Sequence, residues 1–353
     1  MKIRVFALAA ATAAGLSLSA CEDSNENGAS GKGVERAPTR MQHVEVPAAP
    51  GVITAEAANS SAFMPPPADP NAQSATLLRA QVLLDRAGFS PGVIDGRYGE
   101  NVRQALAAFQ EERGLQASGT LDQATWQALN AGGGPAAVAR YVITQADVAG
   151  PFIAEVPEEL PEQARLERMA YTSAAELIAE RFHMDEELLR ALNPGQTFTG
   201  AGTEIIVANP ARPAIAAEVA RIEVDAEERA VKAFDAAGKL LAFYPATIGS
   251  AEQPSPSGTM KVNGVSRDPT FTYDPKKLDY KPEIRSKFTV AAGPNNPVGL
   301  VWIDLSKPTY GIHGSPEPDV IGKTQSNGCV RLANWDVLAL AAAVKPGIEV
   351  RFV

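Results

Sequence analysis

The sequence predicts a multidomain chain whose folded part combines a three-helix unit, an α/β module and a mainly-β domain. Three observations indicate this order: a helical apolar period over residues 74–131, a strand, helix, helix and strand pattern over 138–210, and short apolar strands over 217–353. The chain has 353 residues, of which 45% are hydrophobic and 21% are charged. This composition is typical of a folded protein with room for two or three domains.

Residues 1–20 have the layout of a secretory signal peptide, because Lys2 and Arg4 precede a short apolar run that ends in small residues. The sequence at 18–21, which ends in Cys21, resembles the bacterial lipobox. In that motif the cysteine becomes the lipidated first residue of the mature protein. The resemblance implies a lipid-anchored protein at the periplasmic face of a bacterial membrane, with the anchor as its membrane contact. A soluble secreted protein and an uncleaved anchor are the alternatives.

Residues 21–73 are rich in Ala, Pro, Ser, Asn and Gly and have no sustained apolar period, which predicts a disordered tether after the lipidated N-terminus. No later stretch is long and apolar enough to span a bilayer.

The composition also argues against several classes of partner. The 32 basic and 41 acidic residues give a net charge of −9, which is unfavourable for nucleic acid or a bare anionic membrane. Three scattered histidines and one thiol beyond Cys21 do not form a metal-ligand set. The glycines at 132–134 lack the Lys and Ser/Thr of a phosphate-binding loop. We therefore expect no metal and no cofactor.

The three-helix unit is predicted over residues 74–131, where Asp122 is placed to cap the third helix. The unit resembles the small peptidoglycan-binding domain of many cell-wall enzymes, and this resemblance implies peptidoglycan as the partner. Three motifs carry it: Ile94-Asp95-Gly96-x-x-Gly99, Phe109-Gln110 and Gly119-x-x-Asp122-x-x-Thr125-Trp126. Phe109 and Trp126 are expected in the core, whereas Tyr98 belongs either to the core or to a ligand groove.

The α/β module over 138–210 begins with a strand near 141–143, continues with helices that start at Ser173 and Asp185, and ends with a strand at 204–207. This order resembles a LysM module, which binds N-acetylglucosamine chains. The module departs from that pattern by an insertion near 150–168 and a weak first strand, so retained and lost glycan binding both stay open. His183 is expected to be a surface or packing residue.

The mainly-β domain over 217–353 contains the residues best suited to catalysis. The chain has two cysteines and three histidines; Cys21 is explained by lipidation and His43 lies in the tether. A nucleophilic thiol needs a base or a positive neighbour to lower its pKa from about 8.5, and histidine is the usual partner. His313 is the histidine of this domain, which makes Cys329 and His313 the candidate pair.

Residues 219–353 resemble the L,D-transpeptidase (YkuD-type) catalytic domain of bacterial cell-wall enzymes. The motifs that carry the resemblance are Pro256-Ser257-Gly258, Gly293-Pro294-Asn295-Asn296-Pro297-Val298-Gly299, Tyr310-Gly311-Ile312-His313-Gly314, Ile321-Gly322 and Ser326-Asn327-Gly328-Cys329-Val330-Arg331. The resemblance implies that Cys329 is the nucleophile and His313 its general base. It also implies a backbone carbonyl at Gly314 or Ser315 that orients the imidazole.

Further residues of these motifs are candidates for substrate or oxyanion contacts. Amides near Gly328 and Cys329 could form an oxyanion hole. Arg331 suits either a substrate carboxylate or a structural ion pair. Ser326 is expected to hold the nucleophile loop by hydrogen bonding. Asn327 stands where the family most often has histidine. An asparagine amide cannot act as a base, so this position has no proton-relay role here. The remaining candidates of this kind are Gly314 and Tyr310.

The implied reaction is attack of the thiolate on the third stem residue, usually diaminopimelate, with release of D-alanine and formation of a thioester. Transfer to another stem's amine gives a 3-3 cross-link, which is the outcome we favour for cell-wall biogenesis. Transfer to a lipoprotein lysine gives attachment, and transfer to water gives L,D-carboxypeptidase activity. The alternative of another class is a non-catalytic lipoprotein that tethers the membrane to peptidoglycan, with Cys329 as a buried structural thiol.

Overall fold

The computed structural model describes residues 53–249, 256–278, 281, 283–326 and 328–353. The predicted signal peptide, Cys21, His43, the first part of the predicted tether and Asn327 lie outside the described residues. All described residues belong to one compact unit. None of their helices has the length and apolar character that crossing a membrane requires.

The predicted three-helix unit is confirmed as α2 (Ala75–Arg86), α3 (Glu100–Glu112) and α4 (Gln123–Asn130). Asp122 caps α4, since its carboxylate accepts a hydrogen bond at 2.8 Å from a main-chain amide of the first turn. Phe109 and Trp126 are 1% and 2% exposed and belong to the core, as expected. The hydroxyl of Tyr98 donates to the carbonyl of Gly119, which ties this side chain to a turn of its own unit.

The prediction of a disordered tether is wrong for its last part, residues 53–73. A short helix, α1 (Ala55–Asn59), precedes the three-helix unit, and Ile53 and Ala58 are buried. The indole Nε1 of Trp126 donates to the carbonyl of Ser61 at 2.8 Å. Isolated apolar residues in a polar stretch carry no periodic pattern, so only tertiary burial shows that this segment is folded.

The α/β module has the predicted order of strand, helix, helix and strand, with two additional short helices between the first strand and the first long helix. Its elements are β1 (Val138–Val142), α5 (Gln145–Val148), α6 (Leu160–Gln163), α7 (Ala174–Arg181), α8 (Glu186–Leu192) and β2 (Glu204–Ala208). Strand β1 pairs antiparallel with β2. Ser173 and Asp185 cap α7 and α8. The ring of His183 stacks on Trp335 at a centroid distance of 5.1 Å, so it is a packing residue.

The catalytic region is mainly β, as predicted. Its elements are β3 (Arg221–Asp225), β4 (Ala230–Phe234), β5 (Leu240–Pro245), β6 (Gly258–Arg267), β7 (Phe271–Tyr273), β8 (Phe288–Val290), β9 (Val301–Leu305), β10 (Gly311–His313), a 3-10 turn (Pro318–Val320), β11 (Val330–Arg331), α9 (Asn334–Ala343) and β12 (Glu349–Phe352). The sheet order is β11-β10-β9-β6-β12-β3-β4-β5, while β7 and β8 form a separate hairpin. Helix α9 packs on β9 and β10.

A buried ion-pair network joins the three folded parts. Arg212, in the segment after β2, donates to Asp336 of α9 at 2.8 Å and to Asp85 of α2. Ser90 donates its hydroxyl to Asp336 at 2.9 Å, and His183 Nδ1 lies 3.1 Å from Asp85. Removing one partner of a buried pair leaves an uncompensated charge and costs several kcal/mol. This network, which we call the junction network, therefore opposes separation of the parts.

Main-chain hydrogen bonds also join the three-helix unit to the catalytic sheet. The amide of Phe243 on β5 donates to the carbonyl of Gly88, and the amide of Ser90 donates to the carbonyl of Phe243, both at 2.9 Å. Strand β5 is an edge of the sheet. The unit thus covers an edge whose unpaired amides and carbonyls would otherwise be open to another chain.

Candidate active site

The pairing of β10 with β11 brings the candidate nucleophile and base together. The two strands are parallel, with His313 opposite Arg331 and Ile312 opposite Val330. Cys329 directly precedes β11, and side chains two residues apart on an extended chain point to the same face. Cys329 and Arg331 therefore share the face of the sheet that carries His313.

The imidazole of His313 is held in one orientation. Its side chain is buried, with 4% of the residue exposed, and Nδ1 lies 2.7 Å from the carbonyl oxygen of Gly314. A carbonyl oxygen only accepts, so Nδ1 carries the proton and Nε2 is left with a free lone pair. This contact is the backbone carbonyl contact that the sequence leads us to expect. The indole of Trp302 stacks on the imidazole at a centroid distance of 5.4 Å and an interplanar angle of 20°.

The base is neutral at physiological pH. The pKa of His313 is lowered to about 3, chiefly by burial and also by the positive charge of Arg331, while the hydrogen bond to the Gly314 carbonyl acts in the opposite direction. A neutral imidazole with a free Nε2 is the form that can accept a proton from a nucleophile.

Gly311 allows the stacking arrangement around the base. A Cβ atom at this position would lie 2.6 Å from the Trp302 indole, which is too close for any real side chain. Because His313 pairs with Trp302 across β10 and β9, the indole covers both the Gly311 backbone and the imidazole. The glycine of this motif is thus explained by a close approach of an aromatic ring.

The thiol of Cys329 is partly exposed and forms no disulfide. Its Sγ donates a weak hydrogen bond to the carbonyl of Thr309 at 3.6 Å. Burial raises the pKa of the thiol above its ordinary value, opposed by a backbone hydrogen bond at Gly311 and by the charge of Arg331. The positive neighbour expected from the sequence is therefore present and acts in the expected direction, but burial outweighs it, so the thiol is neutral in the resting site.

Ser326 holds the nucleophile loop in the way that the sequence suggests. Its Oγ donates to the carbonyl of Cys329 at 2.5 Å and accepts from the amide of Gly328 at 3.3 Å. Gly328 has a φ of 105°, in the region that favours glycine. Since the Gly328 amide already donates to Ser326, the amide of Cys329 is the better oxyanion donor of the two. The role of Asn327 stays a prediction, because this residue lies outside the described residues.

Arg331 and Tyr310 flank the catalytic pair. The main chain of Arg331 exchanges hydrogen bonds with Thr247 at 2.9 and 3.0 Å. Its guanidinium forms no ion pair with any carboxylate among the residues that the structure describes, which leaves it available to an anionic group. The ring of Tyr310 lies under the ammonium of Lys307 at 4.2 Å.

Asn334, at the start of α9, makes three hydrogen bonds near the site that no motif in the sequence indicates. Its Oδ1 accepts from the amide of Leu300 at 2.9 Å, and its Nδ2 donates to Glu180 of α7 at 3.0 Å and to the carbonyl of Pro294 at 3.1 Å. It thus links the α/β module to the 293–299 motif. The 293–299 motif is recognisable in the sequence, but its contact with Asn334 joins segments that are distant in the chain.

Comparisons with known proteins agree with this architecture. Residues 219–351 match the model of the YkuD L,D-transpeptidase catalytic domain, and residues 73–129 match that of a putative peptidoglycan binding domain. The putative L,D-transpeptidase YkuD of Bacillus licheniformis is 31% identical over 177 residues, which is 50% of this chain and 90% of that protein. The chain belongs to the L,D-transpeptidase family.

Two other L,D-transpeptidases are also similar to this chain, one over a smaller share of its length and one at lower identity. The probable L,D-transpeptidase YbiS of Escherichia coli K12 is 28% identical over 188 residues, 52% of this chain and 60% of that protein. A solved L,D-transpeptidase from Xylanimonas cellulosilytica is 16% identical with a TM-score of 0.35, over 78% of this chain and 92% of that chain. Within this family, the helical unit is the peptidoglycan-binding domain and the β domain is the L,D-transpeptidase domain.

Proposed function

We propose that this protein is a cysteine-dependent peptidoglycan L,D-transpeptidase that forms 3-3 cross-links in the cell wall. The observation that carries the proposal is the contact between His313 Nδ1 and the Gly314 carbonyl, at 2.7 Å. It leaves Nε2 as the proton acceptor on the face of the sheet that carries Cys329. A thiol and a base with these roles are what acyl transfer through a thioester needs.

In the first half-reaction, Cys329 attacks the carbonyl of the third stem residue, diaminopimelate. The S–C bond forms while the thiol proton passes to Nε2 of His313, which then gives it to the departing amine of D-alanine. Because both groups are neutral at rest, proton transfer accompanies the attack rather than preceding it. The amide of Cys329 donates to the oxyanion, and the guanidinium of Arg331 binds a carboxylate of the substrate.

In the second half-reaction, an amine attacks the thioester and restores the thiol. We favour the side-chain amine of another stem's diaminopimelate, because a peptidoglycan-binding domain in the same compact unit raises the local concentration of polymer. A lipoprotein lysine would give attachment of that lipoprotein, and water would give L,D-carboxypeptidase activity.

The placement of the enzyme follows from its N-terminus and its modules. A signal peptide over 1–20 and lipidation at Cys21 would hold it at the periplasmic face of a bacterial membrane. The α/β module over 138–210 has the strand and helix order of LysM, which supports glycan binding as its original role.

A non-catalytic wall tether is the second candidate, and the raised pKa of Cys329 is the observation that favours it. A thiol with a raised pKa is less reactive at neutral pH than one whose pKa is lowered. Against this reading, the contact of His313 Nδ1 with the Gly314 carbonyl leaves Nε2 free to accept a proton, which a tether does not need.

The test is incubation of the full-length protein with tetrapeptide-stem muropeptides, with products analysed by mass spectrometry. We expect dimers that lack one D-alanine, and loss of these dimers in Cys329→Ala and His313→Gln, each shown to be folded by its melting temperature. Monomers shortened by one residue would instead indicate carboxypeptidase activity. Unchanged substrate with the wild-type protein would support the tether.

A further inference from the structure

Asn334 has a buried side chain whose place at the start of α9 is not explained by that helix. An asparagine at a helix N-terminus usually caps the helix by accepting from an amide of the first turn. Here Ala333 occupies the N-cap position, and alanine has no side-chain oxygen with which to cap. Asn334 is 1% exposed and directs its amide towards the loops of the catalytic domain. Its hydrogen bonds therefore serve a part of the protein other than α9.

The amide oxygen of Asn334 fixes the backbone of Gly314. Oδ1 accepts from the main-chain amide of Leu300 at 2.9 Å. It also lies against the backbone of Gly299 and Gly314, where a Cβ atom added to either glycine would overlap it. The amide of Gly314 donates to the carbonyl of Val301 at 3.1 Å. The Gly314 backbone is thus held between strand β9 and a buried side-chain amide.

The position of Gly314 decides which nitrogen of the imidazole is free. Its carbonyl oxygen lies 2.7 Å from Nδ1 of His313, and this contact leaves Nε2 without a proton. Such a hydrogen bond selects one tautomer and one ring orientation only while its acceptor stays in place. A displacement of about 1 Å can cost a catalytic site on the order of 10²-fold in rate. Asn334 is therefore placed to act on the base through a single glycine.

The amide nitrogen of Asn334 is held from the other side, in part by the α/β module. Nδ2 donates to Glu180 Oε1 at 3.0 Å and to the carbonyl of Pro294 at 3.1 Å. Glu180 belongs to α7, is 9% exposed, and also accepts from the Tyr171 hydroxyl at 3.1 Å. Two acceptors face the nitrogen of the amide and one donor faces its oxygen. Only one orientation of the Asn334 amide satisfies all three contacts.

Main-chain contacts of the module support the catalytic-domain loop that precedes β9. The amide of Met169 donates to the carbonyl of Ala292, and the amide of Asn295 donates to the carbonyl of Met169, both at 3.0 Å. Asn295 Nδ2 donates to the carbonyl of Ala170 at 2.9 Å and to Glu176 at 2.8 Å. This loop is therefore built against the module as well as against its own sheet.

We propose that Asn334 and Glu180 are positioning residues for the general base, and that the α/β module is thereby a structural part of the active site. The inference rests on the proposed function, in which His313 takes the thiol proton. Both residues act through the Gly314 carbonyl rather than on the reacting atoms. The matched catalytic domain, residues 219–351, contains Asn334 but not Glu180. Support for the base thus comes partly from outside the catalytic domain.

The test uses full-length protein labelled with nitrogen-15 histidine, because the ring nitrogens report the tautomer by NMR without any turnover. His313→Gln assigns the resonances of the base. In wild type at pH 7 we expect protonated Nδ1 and unprotonated Nε2. In Asn334→Ala we expect both tautomers of His313, because the Gly314 carbonyl is no longer fixed. The kcat for D-alanine release should fall at least about tenfold, while KM changes less than about twofold.

The matched control is Asn193→Ala. Asn193 is also a buried asparagine with three hydrogen bonds, which join it to the carbonyl of Leu189 and to the carbonyl and amide of Ile206 within the module. We expect both alanine variants to melt below wild type, since each loses three buried hydrogen bonds. Assayed well below its melting temperature, the control should keep the wild-type kcat and histidine spectrum. Equal loss of kcat in the two variants, or an unchanged His313 spectrum in Asn334→Ala, would overturn the proposal.

A second pair of variants isolates the contribution of the module. Glu180→Gln keeps a side-chain oxygen that accepts from Asn334 and Tyr171, whereas Glu180→Leu has a similar size and keeps none. We expect the leucine variant to lower kcat about tenfold and the glutamine variant to restore most of that loss. Equal kcat in these two variants would overturn the role of Glu180.

The positioning role and the proposed function fail separately in this design. Mixed His313 tautomers in Asn334→Ala, with no D-alanine release by any protein, would overturn the transpeptidase and support the positioning contact. Release of D-alanine by wild type, with one His313 tautomer in both Asn334→Ala and Glu180→Leu, would overturn the positioning role and leave the transpeptidase standing.

Discussion

Replacing the buried histidine tests whether the resting site is neutral. In the folded protein the pKa of His313 is lowered to about 3, whereas in the unfolded chain it has its ordinary value of 6.5. Between these values the unfolded state binds a proton that the folded state does not, so stability rises with pH across this window and falls as pH drops through 6.5. His313→Gln keeps a neutral side chain of similar reach but cannot titrate.

The magnitude follows from the two pKa values. The contribution of His313 to the free energy of unfolding falls by about 2 kcal/mol between pH 7 and pH 5, and by roughly 4 kcal/mol between pH 7 and pH 3. The variant lacks this loss. We therefore expect the stability difference between wild type and His313→Gln to shift by about 2 kcal/mol in favour of the variant at pH 5.

The assay is urea denaturation of the full-length protein at pH 5 and pH 7, for wild type, His313→Gln and Cys329→Ala. The cysteine variant is the matched control, since it removes the neighbouring thiol and keeps the imidazole; it should show the wild-type pH dependence. A difference that stays constant within 0.5 kcal/mol, on the order of the error of such data, means that His313 titrates normally and refutes the neutral resting pair.

Three further predictions concern contacts around the site. Gly311→Ala should push the Trp302 indole off the imidazole, lowering stability by about 1–3 kcal/mol and slowing D-alanine release at least tenfold; calorimetric melting and release kinetics check this. As pH rises from 4.5 to 7.5, the unfolding free energy of Glu180→Gln should increase by about 3 kcal/mol relative to that of wild type, as measured by urea denaturation. The reason is that the pKa of Glu180 is about 7 in the folded state, so wild type loses stability across this window. Asp85→Asn should cost about 3 kcal/mol of unfolding free energy at pH 7, since Arg212 then keeps one buried carboxylate instead of two; an unchanged urea midpoint would contradict this.

Local patterns in the sequence predict much of this architecture. The cap at Asp122 and the core positions of Phe109 and Trp126 depend on residues a few positions apart, and their chemistry is the same in any fold. The choice of Cys329 and His313 depends on scarcity and on motifs that flank each residue. Such features need no knowledge of how distant segments meet.

Features that depend on distant segments could not be predicted in this way. The pKa of Cys329 is raised by burial, which follows from the packing of the whole domain and not from the neighbouring motif. The link from Asn334 to Glu180 joins residues 154 positions apart. The folded stretch at 53–73 depends on apolar side chains that become buried only when the three-helix unit and the α/β module are both present.

The junction network has a consequence for how the enzyme reaches its polymer. Because Arg212 pairs with Asp85 of the peptidoglycan-binding domain and with Asp336 of the catalytic domain, both domains are parts of one compact unit. We expect a glycan strand bound by the first domain to reach Cys329 at a distance that is set by how the two domains are joined. Selectivity among stems can then arise from distance along the glycan, without any additional contact at the thiol.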